Sequence, residues 1–211
     1  MILVTACYPI ESRWIEPRPD LQLVRTRVGE RAPERLDALE PDLQDASVLI
    51  ASGFCGAAAP ELRTGDLFLA RTIRHGEQEI LIDAGLLDTA RRALAADAVA
   101  FHVGPCVSSD HVVDTAEKRA LAEQGICAID MESGPLARWA IDRQVPLLVL
   151  RVVLDTFDDE IPFSADHPTW CAALRHPMAC MRTARAAIDA ARSLGHAIGV
   201  TAESLRRRQD V

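Results

Sequence analysis

The segment 146–154, with the sequence PLLVLRVVL, restricts the fold of this chain more than any other feature. It is almost continuously apolar, as a strand buried on both faces should be, and such strands belong to sheets that helices cover on both sides. Other short β-rich runs alternate with helical patterns along the chain, which is typical of a largely parallel sheet. We therefore predict an α/β fold, a three-layer sandwich whose central twisted, largely parallel mixed β-sheet is flanked by helices.

The same patterns predict where the individual elements lie. Strands are predicted at 1–7, 21–28, 47–52, 66–74, 79–82, 97–104, 126–131 and 146–154. Helices are predicted at 33–44, 84–96, 115–124, 133–144 and near 169–194. In the helix 115–124 we expect Lys118 and Arg119 to be exposed. No internal repeat or linker interrupts the 211 residues, so we expect one domain spanning 1–211.

Charge and hydropathy exclude two classes of function. The net charge of −8 argues against a nucleic-acid binder, because neutralising phosphates requires a basic face. The run Arg206-Arg207-Arg208 lies in a short polar tail, where a solvated helix end is favoured over weak attraction to anionic lipid. No apolar stretch approaches the ~20 residues that span a bilayer, so no integral membrane segment is expected.

Cysteine and histidine spacing predicts no metal. The six cysteines form no CxxC pair, and the six histidines form no HExxH motif. Neither a GxGxxG fingerprint nor a P-loop is present, and we predict no cofactor. The apolar run 1–7 lacks a basic n-region and is interpreted as a first buried strand. With no export signal, reduced thiols and a cytoplasmic location are expected.

Polar residues follow several predicted strands at the sheet edge where ligands bind in α/β folds. Glu11 follows the first strand, Asp130 and Glu132 follow the strand near 126, and Asp155 follows the strand near 146. Between them, Gly53 to Ala57 follows the strand 47–52, either as a plain tight turn or as a loop that lets a ligand approach the backbone. Three strand ends thus deliver carboxylates to one edge.

Four segments in this order carry a resemblance to a known family. They are Gly53-Phe54-Cys55-Gly56-Ala57, Leu62-Arg63-Thr64-Gly65-Asp66-Leu67, Ile129-Asp130-Met131-Glu132-Ser133 and Leu150-Arg151-Val152-Val153-Leu154-Asp155. The chain resembles the nucleoside phosphorylase/nucleosidase superfamily over about residues 1–160, including the methylthioadenosine/S-adenosylhomocysteine nucleosidases and futalosine hydrolases. The last two segments look closest to the hopanoid-associated branch, which removes adenine from adenosylhopane.

The resemblance implies a role for each carboxylate. Cleavage of a ribosyl bond passes through an oxocarbenium-like transition state, so an enzyme must hold the ribose, protonate the base and aim a nucleophile. By resemblance, Glu132 binds the ribose hydroxyls above Met131, Asp155 protonates the purine at N7, and Glu11 activates the attacking water. Asp130 is interpreted as a supporting carboxylate that shares a strand face with Glu132.

Each of these residues also has an ordinary structural interpretation. Met131 can simply fill the core, Asp155 can begin a turn, and Glu11 can favour the first turn of a helix. The resemblance further implies that the loop 107–113 meets the base. It assigns Ser109, Val112 and Val113 to base binding, although Val112 stands where an aromatic residue commonly stacks on the base. Gly53, Phe54 and Gly56 are assigned supporting positions.

Two departures favour water over phosphate as the nucleophile. The segment Cys7-Tyr8-Pro9-Ile10-Glu11 replaces the Gly-Asp-Pro loop of the phosphorylases, and Glu11 would repel a phosphate dianion. Phe54 stands where a small hydroxyl residue often helps to bind the anion. Four arginines remain that could reach the site and keep phosphorolysis open as an alternative: Arg13, Arg25, Arg27 and Arg71.

We therefore expect hydrolysis of a purine nucleoside, with adenine as the base and a modified 5′ group, that releases the free base. Only about forty residues separate Glu11 from Gly53, fewer than is usual in the nucleosidases, so we expect one hairpin or helix that shapes the 5′ side of the pocket to be abbreviated. A more open pocket would suit a bulky 5′ substituent. A non-catalytic nucleoside-binding module is the alternative from another class. The expected partner is a small-molecule substrate. Self-association into a homodimer or larger oligomer is also expected, with Trp14, Trp139 and Trp170 as apolar surface.

Overall fold

Residues 1–39, 43, 45–159 and 177–209 are described in a computed structural model. Their strands are β1 (Ile2–Ala6), β2 (Leu21–Arg25), β3 (Val48–Ala57), β4 (Leu67–His75), β5 (Gln78–Leu81), β6 (Phe101–Ser108), β7 (Ala128–Asp130) and β8 (Leu147–Asp155). Their helices are α1 (Pro9–Ser12), α2 (Glu34–Asp37), α3 (Ala84–Ala96), α4 (Thr115–Glu123), α5 (Ser133–Asp142) and α6 (Pro177–Gln209). A 3₁₀ turn occupies Gly29–Arg31.

The eight strands of the described residues join one mixed sheet in the order β2-β1-β3-β7-β6-β4-β5, with β8 paired to both β3 and β4. Five pairings are parallel and three are antiparallel, which confirms the predicted largely parallel mixed sheet. The order β3-β7-β6-β4-β8 leads back to β3, so these five strands close a ring of backbone pairing. Strand β8 pairs with β3 over Leu49–Gly56, while β1 pairs with the start of β3 and β7 with its last two residues.

Helices cover the sheet because their small apolar residues allow close approach. Asp83 is the N-cap residue of helix α3, and its side chain accepts a hydrogen bond from the N–H of Leu86 at 2.8 Å. Helix α6 packs against α3 and β8. Among its described side chains, the buried hydrophobic ones are Ala187, Ala190, Ala191, Leu194, Ala197, Ile198, Ala202 and Leu205. Among the described residues, no helix is both long and apolar enough to cross a membrane.

Most element bounds agree with the sequence patterns, and the disagreements have local causes. Strands β4, β5 and β8 and helices α3 and α4 fall within one residue of their predicted bounds. The predicted helix 33–44 is wrong over most of its length, because only Glu34–Asp37 is helical and residues 40–42 and 44 lie outside the described part. The predicted start of the last helix at 169 also lies outside it, and the helix continues to Gln209, well past residue 194.

Three strands differ from the prediction in ways that matter for the site. Strand β2 ends at Arg25 because Gly29 adopts a φ of +61° in the following turn. Strand β6 lies four residues further along the chain than predicted. The predicted turn at Gly53 to Ala57 is wrong, because these residues continue strand β3 to Ala57. The glycines of this segment therefore lie inside a paired strand.

Candidate active site

Glu11 is a buried carboxylate held by two backbone donors that follow β1 and by one donor in β3. It lies in α1, the short helix that follows β1, and its side chain is 2% exposed. One carboxylate oxygen accepts from the N–H groups of Cys7 at 2.7 Å and Tyr8 at 2.8 Å, and the other accepts from Phe54 at 2.9 Å. Burial raises the pKa of Glu11, although these hydrogen bonds oppose the shift. The carboxylate is thus fixed in orientation between β1 and β3.

Arg151 connects two further carboxylates, those of Asp130 and Glu132, and no role was predicted for it from the sequence. It lies in β8 and is 1% exposed, with Nε at 2.8 Å from Asp130 Oδ2 and Nη1 at 3.6 Å from Glu132 Oε2. Nη1 also donates to the carbonyl of Ser52 at 3.3 Å. Burial lowers the pKa of Arg151, but the neighbouring acidic groups, led by Asp130 and Glu132, together raise it by more, so the guanidinium stays charged. The signal for this role was a single cation within an otherwise apolar strand.

Asp130 and Glu132 are brought together by Arg151 and not by a shared strand face. Strand β7 ends at Asp130, and Glu132 is the N-cap residue of α5 with helical backbone angles, so the predicted period-two relation is wrong. Asp130 accepts hydrogen bonds from the Ser133 N–H at 3.1 Å and from its hydroxyl at 2.7 Å. Glu132 accepts from the Gly29 N–H at 3.2 Å.

The environment of Glu132 raises its pKa, so the carboxyl group keeps its proton up to near neutral pH. Its side chain is buried, and burial raises its pKa to about 7. Arg151 opposes this shift, while the neighbouring charge of Asp130 adds to it. Such a carboxyl group changes its charge within the physiological pH range, which is common for groups that act at functional sites.

Gly53 allows Glu11 and Arg151 to approach the same point of β3. Its φ is +145°, and a methyl group in place of its hydrogen would lie 2.7 Å from Arg151 Nη1 and 2.9 Å from Glu11 Oε1. No side chain fits between these two groups without moving one of them. The glycine is required here for close packing of charged side chains against the backbone.

Asp155 forms a second charged centre with Lys118, whose predicted exposure is wrong. Lys118 of α4 is 2% exposed, because its ammonium group turns inward to Asp155 Oδ2 at 2.5 Å. The neighbouring Arg119 is exposed, as predicted. Burial raises the pKa of Asp155, and the hydrogen bond and charge of Lys118 act against that shift. Asp155 also lies against Gly56, where a methyl group would meet Oδ2 at 2.9 Å.

The two charged centres lie along the same strand. Gly53 and Gly56 are three residues apart in β3, which corresponds to roughly 10 Å of extended chain. The buried thiol of Cys55 lies between them, and its pKa is raised by burial and affected by Arg151, Asp130 and Asp155. Both centres are therefore within electrostatic reach of a single side chain.

The residues assigned to base binding are placed in different environments. The Ser109 N–H donates to the carbonyl of Asp130 at 2.7 Å, which fixes the loop beside the first centre. Val112 is 40% exposed, whereas Val113 packs against a small apolar cluster formed by Ala58, Ile126 and Ile129. The structure thus leaves the side chain of Val112 accessible and engages that of Val113 in packing.

Met131 and Phe54 lie between core and site. Both are half-buried, and Phe54 packs against the main hydrophobic core while its N–H binds Glu11.

The four arginines that kept phosphate binding open are all exposed: Arg13, Arg25, Arg27 and Arg71. Arg27 is already paired with Glu34 at 3.1 Å. Over the described part of the chain, no cluster of three or more His, Cys, Asp or Glu residues could hold a metal ion.

The sequence model of the phosphorylase superfamily matches residues 33–190. This chain belongs to the phosphorylase superfamily. Among curated members, it is 24% identical over 146 residues to the 5′-methylthioadenosine/S-adenosylhomocysteine nucleosidase of Maridesulfovibrio salexigens, covering 59% of this chain and 61% of the relative. It is 25% identical over 152 residues to the nucleosidase of the same name from an Exiguobacterium species, covering 62% and 63%. The chain thus spans about three-fifths of the length of these relatives.

Solved structures of the superfamily show the same fold over nearly the whole chain. The 5′-methylthioadenosine/S-adenosylhomocysteine nucleosidase of Campylobacter jejuni matches with a TM-score of 0.75 and 17% identity, covering 98% of each chain. The futalosine hydrolase of Helicobacter pylori matches with a TM-score of 0.75 and 15% identity, covering 96% of this chain and 97% of that one. These similarities establish the fold that the sequence resemblance predicted.

Proposed function

We propose that this protein hydrolyses the N-glycosidic bond of an adenine nucleoside that carries a modified 5′ group. The observation that carries the proposal is the placement of the carboxyl groups of Glu11, Glu132 and Asp155 around β3, each buried and each with a raised pKa. Burial of an ionised carboxyl group lowers the stability of a fold unless the group is paired, hydrogen-bonded or protonated. Their arrangement here matches the three tasks of ribosyl transfer, which are holding the sugar, supplying the nucleophile and protonating the base.

Glu132 is assigned to the ribose hydroxyls. Its Oε1 already accepts a backbone N–H from Gly29, and its Oε2 lies 3.6 Å from Arg151, which leaves lone pairs for further donors. An ionised carboxylate that accepts from a hydroxyl pushes electron density towards the sugar as positive charge develops there. Met131, the residue before Glu132, is assigned to pack against the apolar face of the ribose.

Glu11 is assigned to the attacking water. Three backbone N–H groups hold this carboxylate in one orientation, two at Oε2 and one at Oε1, so the remaining lone-pair site on Oε1 points in a fixed direction. Burial makes it a stronger base than an exposed glutamate, because desolvation disfavours its charged form. A carboxylate of this kind can accept a proton from water as the oxygen attacks the anomeric carbon.

The charge of the site favours water over phosphate. Three carboxylates, those of Glu11, Asp130 and Glu132, surround the one guanidinium of Arg151. A phosphate dianion entering this centre would meet more negative than positive charge, and the exposed arginines lie outside the buried cluster. Within the described residues, this centre therefore offers a phosphate dianion fewer cationic groups than carboxylates, which disfavours phosphorolysis, the alternative reaction.

Asp155 is assigned to the departing base. Its buried carboxyl group has a raised pKa, which keeps a proton available closer to neutral pH. Ser109 and Val112 are proposed to line the base, with the exposed Val112 providing the apolar contact. Val113 is proposed to contribute through its backbone, since its side chain packs into the cluster of Ala58, Ile126 and Ile129.

An apolar 5′ substituent fits the surface beside the carboxylates. Tyr8 is 49% exposed and its N–H binds Glu11, and Val28 is 42% exposed and precedes Gly29, whose N–H binds Glu132. Exposed apolar side chains next to a polar site commonly contact ligand or partner. A thioether or a larger hydrocarbon group, such as the hopane of the branch that the sequence resembles, would be accepted there more readily than a charged group.

The test is a panel of adenosine derivatives assayed with and without inorganic phosphate. We expect free adenine and free sugar from substrates with an apolar 5′ group, at a rate independent of phosphate. Inosine and guanosine derivatives serve as controls for base preference. Sugar 1-phosphate as the product, with a rate that scales with phosphate, would replace hydrolysis by phosphorolysis. Binding without release of base would indicate a non-catalytic module.

A further inference from the structure

Lys118 makes three hydrogen bonds from its buried ammonium group. Besides Asp155 Oδ2 at 2.5 Å, it donates to the carbonyls of Thr156 and Asp159, both at 2.8 Å. An ammonium group has three N–H donors, so all three are satisfied. A buried cation with a complete set of acceptors is held in one position. Because Lys118 lies in α4 and its acceptors lie at the end of β8 and beyond, it connects two elements around Asp155.

We propose that Lys118 is a positioning residue for proton transfer, holding the carboxyl group of Asp155 and stabilising the carboxylate that remains after Asp155 has protonated the leaving base. This inference rests on the function proposed above. In the step, the Asp155 O–H bond breaks, the N7–H bond of the purine forms, and the electron pair of the N-glycosidic bond passes to the base. Lys118 keeps its own protons and forms an ion pair with the resulting carboxylate.

The surroundings of Asp155 make Lys118 its dominant charged neighbour. Within the described residues, β3 presents the thiol of Cys55 and the hydrogen of Gly56, and the segment after β8 presents the carboxylate of Asp159. Among the residues that the structure describes, Lys118 of α4 is therefore the one cation in contact with this carboxyl group. Without its charge, burial and Asp159 would act together to weaken Asp155 as an acid.

The variants Lys118→Gln and Lys118→Arg test the proposal, with Arg119→Gln as the matched control. Arg119 is the next residue, is exposed and pairs with Asp158 only at 3.9 Å. In Lys118→Gln, kcat should fall about tenfold or more, with little change in KM. The pH above which turnover declines should move upward by about one unit or more, since an adjacent cation lowers a carboxyl pKa by roughly that amount.

Lys118→Arg keeps the charge, so the pH above which its turnover declines, the declining limb of the pH profile, should stay within about half a pH unit of the wild-type value. If Lys118→Gln does not fold, a large shift of the limb in Lys118→Arg contradicts the proposal. An unshifted or downward-shifted limb in a folded Lys118→Gln protein would also overturn it. In the Asp155→Asn background, Lys118→Gln should cause no further loss of kcat, because Lys118 acts through Asp155; a multiplied loss would place its action elsewhere.

A measurement that needs no turnover separates this proposal from the proposed function. The carboxyl carbon of Asp155, assigned by its loss in Asp155→Asn, can be titrated by ¹³C NMR in the wild type and in Lys118→Gln. The midpoint should move to higher pH in Lys118→Gln. If the wild type releases base from no nucleoside, the proposed function fails, and the titration still decides whether Lys118 controls this proton. If the protein is active and the midpoint does not move, the role of Lys118 alone is rejected.

Discussion

The carboxyl group of Asp155 rests against the backbone of Gly56, so that a methyl group at this glycine would lie 2.9 Å from Oδ2 and 3.2 Å from Oδ1. Real side chains do not come this close to an acid oxygen without displacing it. The other side of the carboxyl group is held by Lys118. Asp155 is therefore enclosed between a strand and a buried cation, and its position depends on a residue without a side chain.

Gly56→Ala should consequently displace Asp155, and it should reduce both kcat and the free energy of unfolding. Overpacking of this kind costs about 1–3 kcal/mol of unfolding free energy. Gly199→Ala is the matched control, because its methyl group meets nothing within 4 Å and it lies inside α6. That control should stabilise the protein by about 0.5–1 kcal/mol and leave activity unchanged. Thermal unfolding and steady-state kinetics of both variants provide the comparison, and a fully active Gly56→Ala protein would contradict this account of the contact.

Replacement of Arg151 should destabilise the fold strongly, since it would leave Asp130 and Glu132 in the interior without their shared cation. Removal of one partner from a buried charge cluster costs roughly 3–5 kcal/mol. Arg151→Met should be most damaging at high pH, where the carboxylates are ionised, and partly relieved at low pH, where they are protonated. Arg92→Met is the control, because Arg92 pairs with Asp88 on the surface of α3 and is 75% exposed. Urea unfolding from pH 5 to 8 tests this, and equal effects of the two substitutions would show that Arg151 is dispensable.

Glu132→Gln should remove a pH dependence as well as a ribose contact. The pKa of Glu132 is raised to about 7 by burial, so the ionised form that accepts from hydroxyls is gained as pH rises through about 7. Wild-type kcat/KM should therefore increase over this range. The Gln variant should lose the increase and about 2–4 kcal/mol of transition-state stabilisation.

The same substitution predicts a change in stability with a definite sign. A carboxyl group whose folded pKa lies above its unfolded value of 4.5 favours the folded state at low pH, and this contribution is lost as pH rises through about 7. The stability of Glu132→Gln relative to the wild type should thus improve between pH 4.5 and 8. Glu79→Gln, an exposed change on β5, should show no such trend. A free energy of unfolding that rises over this pH interval in the wild type but not in Glu132→Gln would refute the assignment.

The positions of the carboxylates were predictable from sequence, whereas their cationic partners were not. Polar residues that follow apolar strands predicted the carboxylates at this edge of the sheet: Asp130 and Asp155 end β7 and β8, and Glu11 lies in α1, which follows β1. Lys118 and Asp155 are 37 residues apart, and a lysine on a short polar helix is usually solvated. Its inward orientation depends on acceptors that the chain assembles only when β8 and α4 come together.

The glycines of β3 illustrate the same limit. A pair of glycines after an apolar run usually indicates a turn, and that prediction was wrong because the strand continues past both of them. Their function becomes apparent only from the neighbours, since Arg151 and Glu11 occupy the space beside Gly53 and Asp155 occupies the space beside Gly56. Such tertiary crowding has no signature in the local sequence.

Self-association remains a prediction, although one of the three tryptophans expected to provide apolar surface, Trp139, is buried. Trp139 is 4% exposed and its indole N–H donates to Asp37, so it provides no free surface, and Trp170 lies outside the described residues. Other apolar side chains are exposed, including Leu81 at 78% and Ile141 at 57%. We expect a dimer or larger species in sedimentation at micromolar concentration. A purely monomeric protein at that concentration would disprove it.

The sharpest test of the proposed chemistry is Asp155→Asn. A purine leaves poorly as an anion, and a positioned general acid contributes about 10²–10⁴-fold to the rate. The amide keeps the shape of the side chain but cannot supply the proton, so turnover of adenosine derivatives should fall steeply while KM changes little.

A nitrophenyl riboside, whose leaving group needs no proton, is the discriminating substrate for this variant. Its cleavage should be slowed much less than adenine release, because holding the ribose and activating water depend on Glu132 and Glu11, which the substitution leaves in place. Equal slowing of both substrates would mean that Asp155 supports the structure around Lys118 and gives no proton. Unchanged rates for both would show that the leaving base takes its proton from another group, and the assignment of Asp155 would have to be abandoned.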